Sequence, residues 1–173
     1  MLRTTEQILA EQKKKNLTSL SVAATMLIAG IILLITHQAL GWLFIVLSVI
    51  IAAGLISGKR SFENELAKAG GIEGLKETLD SPGSERFEVF SLTVTPEAAV
   101  VSHPGLKVFR FSDMAKFEVG IGEMQKALFL TDSAGKRNKI AETQTGDGRQ
   151  EEFDRLYGYV RDLFKAREQA QDQ

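Results

Sequence analysis

Residues 17–35, LTSLSVAATMLIAGIILLI, and residues 40–57, LGWLFIVLSVIIAAGLIS, decide how this chain is built. Both lie in a block, residues 16–58, that contains no Asp, Glu, Lys or Arg and is interrupted once, by the Thr36-His37-Gln38 turn. Each run comes close to the roughly 20 apolar residues that cross about 30 Å of hydrocarbon as a helix. A chain of 173 residues is too small to wrap such a block as a soluble core. The reading is a two-helix transmembrane hairpin.

The flanking charges give its orientation. Lys13, Lys14 and Lys15 precede the first span, Lys59 and Arg60 follow the second, and the connecting turn has neither Lys nor Arg. Because basic residues stay on the cytoplasmic side, both termini are expected there, in a multi-pass cell-membrane protein. A cleaved signal peptide is the competing reading. It fits poorly, since the first apolar run exceeds the roughly 7–15 residues of a signal core and a second span follows at once. Trp42 falls at the outer end of the second span, where an indole suits the headgroup zone.

The chain has no cysteine, which removes disulfides, thiol nucleophiles and thiolate metal sites, and fits a reducing compartment. Its net charge of −1 conceals an uneven distribution. From residue 61 onward, 15 Lys and Arg face 20 Asp and Glu, so this part carries about −5. An acidic domain is a poor nucleic-acid binder, because phosphate neutralisation supplies most of that affinity.

The chain then divides into an N-terminal cytoplasmic segment (1–15), the hairpin (16–58), a helical connector (59–85) and a C-terminal domain (86–173). Thr4-x-x-Gln7 followed by Ile8 and Leu9 predicts a short helix running into the first span. Phe62, Leu66 and Ala69 predict a second short helix stopped by Gly70-Gly71, and Ile72, Leu75 and Leu79 a third ending at Ser81-Pro82-Gly83. These two pieces read as a connector packed on the C-terminal domain, or as a segment lying on lipid.

From residue 87 the period becomes that of strands: 87–95, 98–103, 106–111, 115–121, 126–131 and 137–141, separated by short turns. Phe117, Val119 and Ile121 alternate with Lys116 and Glu118, and Asp132-Ser133-Ala134-Gly135 signals a hairpin. Asp147-Gly148-Arg149-Gln150 then opens a helix in which Phe153, Leu156, Tyr157, Val160, Leu163 and Phe164 form one apolar stripe. Six strands and a closing helix make an antiparallel meander, and the fold class is α+β.

This order resembles the pleckstrin-homology-like (PH-like) fold, and more narrowly bacterial membrane proteins of unknown function that place such a domain behind a two-helix hairpin. The likeness spans residues 87–167 and rests on three pieces. These are the hairpin of Leu92-Thr93-Val94-Thr95 with Val100-Val101-Ser102, the run from Gly105 to Met114, and the hairpin from Leu128 to Ile140. It implies an antiparallel sheet or barrel plugged by the C-terminal helix, with seven strands where six are read here. It implies no particular activity.

Nothing in the chain assembles a catalytic constellation. His37 and His103 are predicted on opposite sides of the membrane, which excludes a His pair within one chain. There is no Gly-x-Ser-x-Gly elbow and no phosphate loop, and Gly120-Ile121-Gly122 reads as a strand end. Glu151-Glu152 suits the first turn of a helix, where the macrodipole favours negative charge. The expectation is a non-enzyme without cofactor or metal.

Two features remain for recognition. Lys136, Arg137 and Lys139 form the one dense basic cluster of the C-terminal domain, read either as a solvated hairpin or as a contact for anionic headgroups. In the spans, Ser21, Thr25 and Ala29 recur every four residues, and Ser48 and Ala52 match that spacing, as small residues do where helices approach. Gly54-x-x-x-Gly58 offers a dimer face. The expected function is a membrane-anchored interaction or scaffold module that presents the domain to a membrane or membrane-associated protein. Its partners would be the lipid bilayer and that protein, with a homo-oligomer as the further option, but no nucleic acid. Anionic-lipid binding through Lys136, Arg137 and Lys139 is the alternative.

Overall fold

The structure, a computed structural model, describes residues 4–36 and 38–171, so His37 lies outside the described residues. The described residues divide into two units, Glu6–Asn64 and, with Thr4 and Thr5, Glu65 onward.

In the first unit, α1 (Thr5–Ile35) and α2 (Leu40–Lys68) each contain a stretch long and apolar enough to cross a membrane. Neither stops where charge begins. α1 carries Lys13, Lys14 and Lys15 within it, and α2 continues past Lys59 and Arg60 through the short helix expected after them. Local propensity explains this, because nothing between Gly58 and Ala69 breaks a helix, whereas Gly70 and Gly71 adopt φ of 85° and 84°. The helices meet most closely at two glycines. A Cβ built on Gly41 would stand 2.7 Å from the carbonyl oxygen of Gly30, and one on Gly30 would stand 2.8 Å from Ile45 Cγ1. Sixteen large apolar side chains between Leu17 and Ile56 are exposed.

The second unit contains seven strands, one more than the sequence shows. The first sheet runs β1 (Glu85–Phe87), β2 (Leu92–Val94), β3 (Ala98–Val101) and β4 (Lys107–Arg110). The second runs β5 (Met114–Ile121), β6 (Gln125–Asp132) and β7 (Arg137–Gln144), and every pairing is antiparallel. What reads as one strand over 87–95 is a hairpin, Glu85 opposite Val94, broken by a 3-10 turn at Glu88–Phe90 and by Ser91 at φ 51°. The turn holds because Ser91 is tied down tertiarily: its carbonyl accepts the Ser102 N–H at 2.8 Å and the Ser102 hydroxyl at 3.0 Å.

Closure of a barrel is a second expectation that is corrected. Sheets β1–β4 and β5–β7 share no ladder. β1 has three residues, and the chain turns out of the first sheet at Phe111–Asp113 before β5 begins, so neither corner provides a length of ladder to join them.

α4 (Gln150–Gln171) closes the core. Phe153, Leu156, Val160 and Phe164 are buried with Phe87, Leu92, Val94, Leu128 and Leu130, while Tyr157 and Leu163 pack at the margin. α3 (Gly71–Asp80) buries Leu75 and Leu79, and Arg86 donates to the Leu79 carbonyl at its end (3.1 Å). The connector is therefore packed within this unit.

Asp147 joins β7 to α4. Its carboxylate accepts the Gln144 N–H and the Thr143 hydroxyl, each at 2.8 Å, and the Arg149 N–H at 2.9 Å. The bond from Gln144, then those from Arg149 and Thr143, hold its pKa below the ordinary 3.8. A depressed carboxylate pKa contributes stability above the unfolded value and loses it as pH falls through the folded one. Asp147→Asn is therefore expected to lower the melting temperature at pH 7, with the difference from wild type closing towards pH 2. A difference independent of pH would contradict this account.

Candidate functional site

The basic hairpin does not present three free charges. Asp132 organises its turn, accepting the N–H groups of Ala134 (3.1 Å) and Lys136 (2.8 Å). Arg137 stands over the Phe129 ring, 3.7 Å from guanidinium carbon to centroid, and its Nε is 3.8 Å from a Glu118 carboxylate oxygen. Phe129 in turn covers Gly120, where a Cβ would stand 3.0 Å from the ring. Lys139 is paired with Glu142. Among the described residues, only Lys136 of the three lacks an ion pair.

Glu118 centres this face. It takes Lys116 at 3.0 Å and the Thr131 hydroxyl at 3.1 Å, and these bonds, Lys116 first, lower its pKa. Four cations (Lys116, Lys136, Arg137, Lys139) therefore meet three carboxylates (Glu118, Asp132, Glu142), which leaves little net field for headgroups.

Of the residues expected to pack the helices together, Ser48 is buried and Ala29 and Ala52 are half-buried. Ser21 and Thr25 are exposed, and the Thr25 hydroxyl turns back onto the Ser21 carbonyl at 2.9 Å. The close approach at Gly30 and Gly41 lies outside that stripe. A pair of glycines flanking the turn was its sequence signal. Gly54 and Gly58 have nothing within 4 Å of an added Cβ. Lys13, Lys14, Lys15, Lys59 and Arg60 are all exposed.

Two clefts open in the β unit. One, of about 530 Å³, is lined by Lys68, Glu97, Arg110 and Arg167 among others, but Lys68 pairs with Glu65 at 2.6 Å and Arg167 donates to the Phe111 carbonyl. The other, of about 370 Å³, has Phe90 and Ile140 in its wall and His103, Lys107, Lys139 and Arg149 around them. Among the described residues, no group of three His, Asp or Glu side chains is placed to hold a metal ion.

The sheet edges are more informative. Unpaired edge N–H and C=O groups recruit further strands unless something covers them. At β4 the outward Val108 N–H donates to Glu65 at 2.8 Å. At β1 the outward Arg86 carbonyl accepts from Arg155 at 3.0 Å. At β7 the Gln144 N–H is held by Asp147, the register slips between Leu128 and Phe129, and the strand carries Arg137, Lys139 and Glu142.

β5 differs. The Gly122 N–H bonds the Gln125 carbonyl at 2.8 Å, so alternation along the ladder turns Gly120, Glu118 and Lys116 towards β6. The backbone groups of Phe117, Val119 and Ile121 face outward, and among the described residues none has a side-chain cap.

No known family model, curated protein or solved structure matches the chain.

α4 runs beside this open edge. Phe117 packs on Tyr157 and Phe164, ring centroids 6.0 and 5.1 Å apart, and Arg161 reaches over Tyr157. Beyond it, Ile121 and Met124 are 77% and 69% exposed. An uncovered strand edge next to apolar and aromatic side chains is suited to bind an extended segment by main-chain hydrogen bonds.

Proposed function

We propose that this protein is a membrane-anchored, non-catalytic interaction module. The hairpin spans the cell membrane with both termini cytoplasmic, and the β unit, in a PH-like arrangement of four plus three strands and a closing helix, binds a protein by strand addition along β5 beside α4. The sixteen exposed apolar side chains of α1 and α2 support the membrane placement, since water tolerates contiguous apolar patches of only a few hundred Å². The basic residues at the far ends of both apolar stretches support the orientation.

The observation that carries the binding reading is the uncapped β5 edge. It is tested in full-length protein in its membrane, with a photo-crosslinking residue at Met124. Val119→Pro deletes an outward N–H and leaves the β6 ladder intact, a position at which an edge strand tolerates proline. It should abolish crosslinking to the partner without unfolding the domain. Replacing Lys136, Arg137 and Lys139 together by Ser should leave crosslinking intact. If the triple variant instead loses the partner and the binding of anionic vesicles, recognition runs through lipid headgroups and the β5 reading fails.

A further inference from the structure

We infer that the cleft beside β4 is a second docking site, one that takes an acidic segment of another protein, and that Glu65 occupies it as a built-in carboxylate until such a segment arrives. From residue 61 onward acidic side chains outnumber basic ones, 20 to 15, yet this cleft reverses the balance. Its wall carries Lys68, Arg110 and Arg167 against one carboxylate, Glu97. The site shares no residue with β5, so either can fail alone.

Glu65 shows which chemistry the cleft accepts. One of its carboxylate oxygens takes the outward Val108 N–H at 2.8 Å, and the other takes the Lys68 ammonium at 2.6 Å. A strand N–H beside a cation suits an anionic acceptor, because charge-assisted hydrogen bonds are about twice as strong as neutral ones. Glu65 satisfies only this end of the cleft.

Beyond it stand two guanidinium groups that no carboxylate neutralises. The Phe111 N–H bonds the Glu97 carbonyl across the sheet at 2.8 Å, so alternation along β4 turns the backbone of Arg110 outward with that of Val108. Among the described residues, the exposed Arg110 side chain has no hydrogen bond or ion pair. Arg167 is fixed in place by the carbonyls of Phe111, Ser112 and Met114, which orient it and leave its charge uncompensated. A segment with two nearby carboxylates replaces Glu65 at Val108 and Lys68 with one and meets Arg110 with the other. Because Glu65 lies in the last turn of α2, its displacement also frees the end of that helix from β4.

The test follows a fluorescein-labelled, amidated hexaglutamate peptide by anisotropy, with the full chain in an uncharged detergent. Wild type should bind it saturably, and more weakly as salt rises. Glu65→Gln should bind about tenfold more tightly, because a neutral amide competes less well for Lys68 and the Val108 N–H and the open fraction of the site grows. Glu65→Asp, whose carboxylate is withdrawn by one methylene, should act in the same direction without a change of charge. Arg110→Gln should weaken binding about tenfold, which is what one charge-assisted hydrogen bond is worth. The Lys136, Arg137 and Lys139 triple replacement by Ser should bind as wild type does, which separates the cleft from a general attraction to cations. Unchanged circular dichroism establishes that each variant is folded. If neither Glu65 variant binds more tightly than wild type, or if Arg110→Gln binds as well, the proposal is overturned. Affinity for phosphatidylglycerol added to the micelles that depends on Arg110, with no binding of hexaglutamate, also overturns it and makes the cleft a headgroup site.

Discussion

Leu156→Asp is expected to unfold the β unit. Leu156 and Val160 are fully buried on one turn of α4, with Phe153 above and Phe164 below, against residues from both sheets. Truncating such a leucine to alanine already costs about 2–5 kcal/mol, and domains of this kind are held by only about 5–15 kcal/mol. An aspartate adds a charge for which the surrounding Phe87, Leu92, Leu128 and Leu130 provide no partner. α4 is also the element common to both sheets, which share no ladder, so its loss leaves two small open sheets. Limited proteolysis and thermal melts of the full chain report this directly. A Leu156→Asp protein that melts within a few degrees of wild type would show that the two sheets hold together without their helix.

The second large effect concerns the hairpin. Gly41→Leu should separate α1 from α2, because its Cβ would stand 2.7 Å from the Gly30 carbonyl oxygen and 2.8 Å from the Leu34 nitrogen, both backbone atoms of a regular helix. Side chains can rotate away from a clash, but helical backbone moves only as a body, so overpacking here costs about 1–3 kcal/mol or more. Gly54→Leu is the control, since nothing lies within 4 Å of a Cβ at that position. Cysteines at Ala23 and Ser48, both buried along the facing stripes, should crosslink within one chain in the wild-type background. They should still do so with Gly54→Leu and cease with Gly41→Leu. Equal yields in all three would place the helix contact elsewhere, and crosslinks only between chains would make the small-residue stripe an interface between copies.

These two effects differ in how far they can be read without the fold. The stripe Phe153, Leu156, Val160 and Phe164 follows from spacing alone, and all four are buried. A helix face is a local property with a period of 3.6 residues, so the residues themselves declare it. The hairpin crossing at Gly30 and Gly41 was not found by the same means. Recurrence every four residues pointed to Ser21 and Thr25, but which of several small-residue stripes meets the partner helix depends on the crossing angle, which no single helix encodes.

The contrast holds for the rest of the chain. An uncharged block from residue 16 to 58, two long apolar helices and an antiparallel β region ahead of an amphipathic helix were determined by the sequence, because hydrophobicity and period act within a few residues. The break at Glu88–Phe90 was not, since no Gly, Pro or Asn marks it and Ser91 is held in its left-handed conformation by Ser102, eleven residues away. Nor was the fate of the basic hairpin. Lys136, Arg137 and Lys139 read as a patch along the chain, but Glu118 and Phe129 on neighbouring strands take up Arg137 and Glu142 takes up Lys139. The capping of β4 by Glu65 and of β1 by Arg155, which leaves β5 and β7 without a cap of that kind, joins residues 43 and 69 positions apart. Which edge stays open is decided by partners distant in the chain, and only the tertiary structure brings them together.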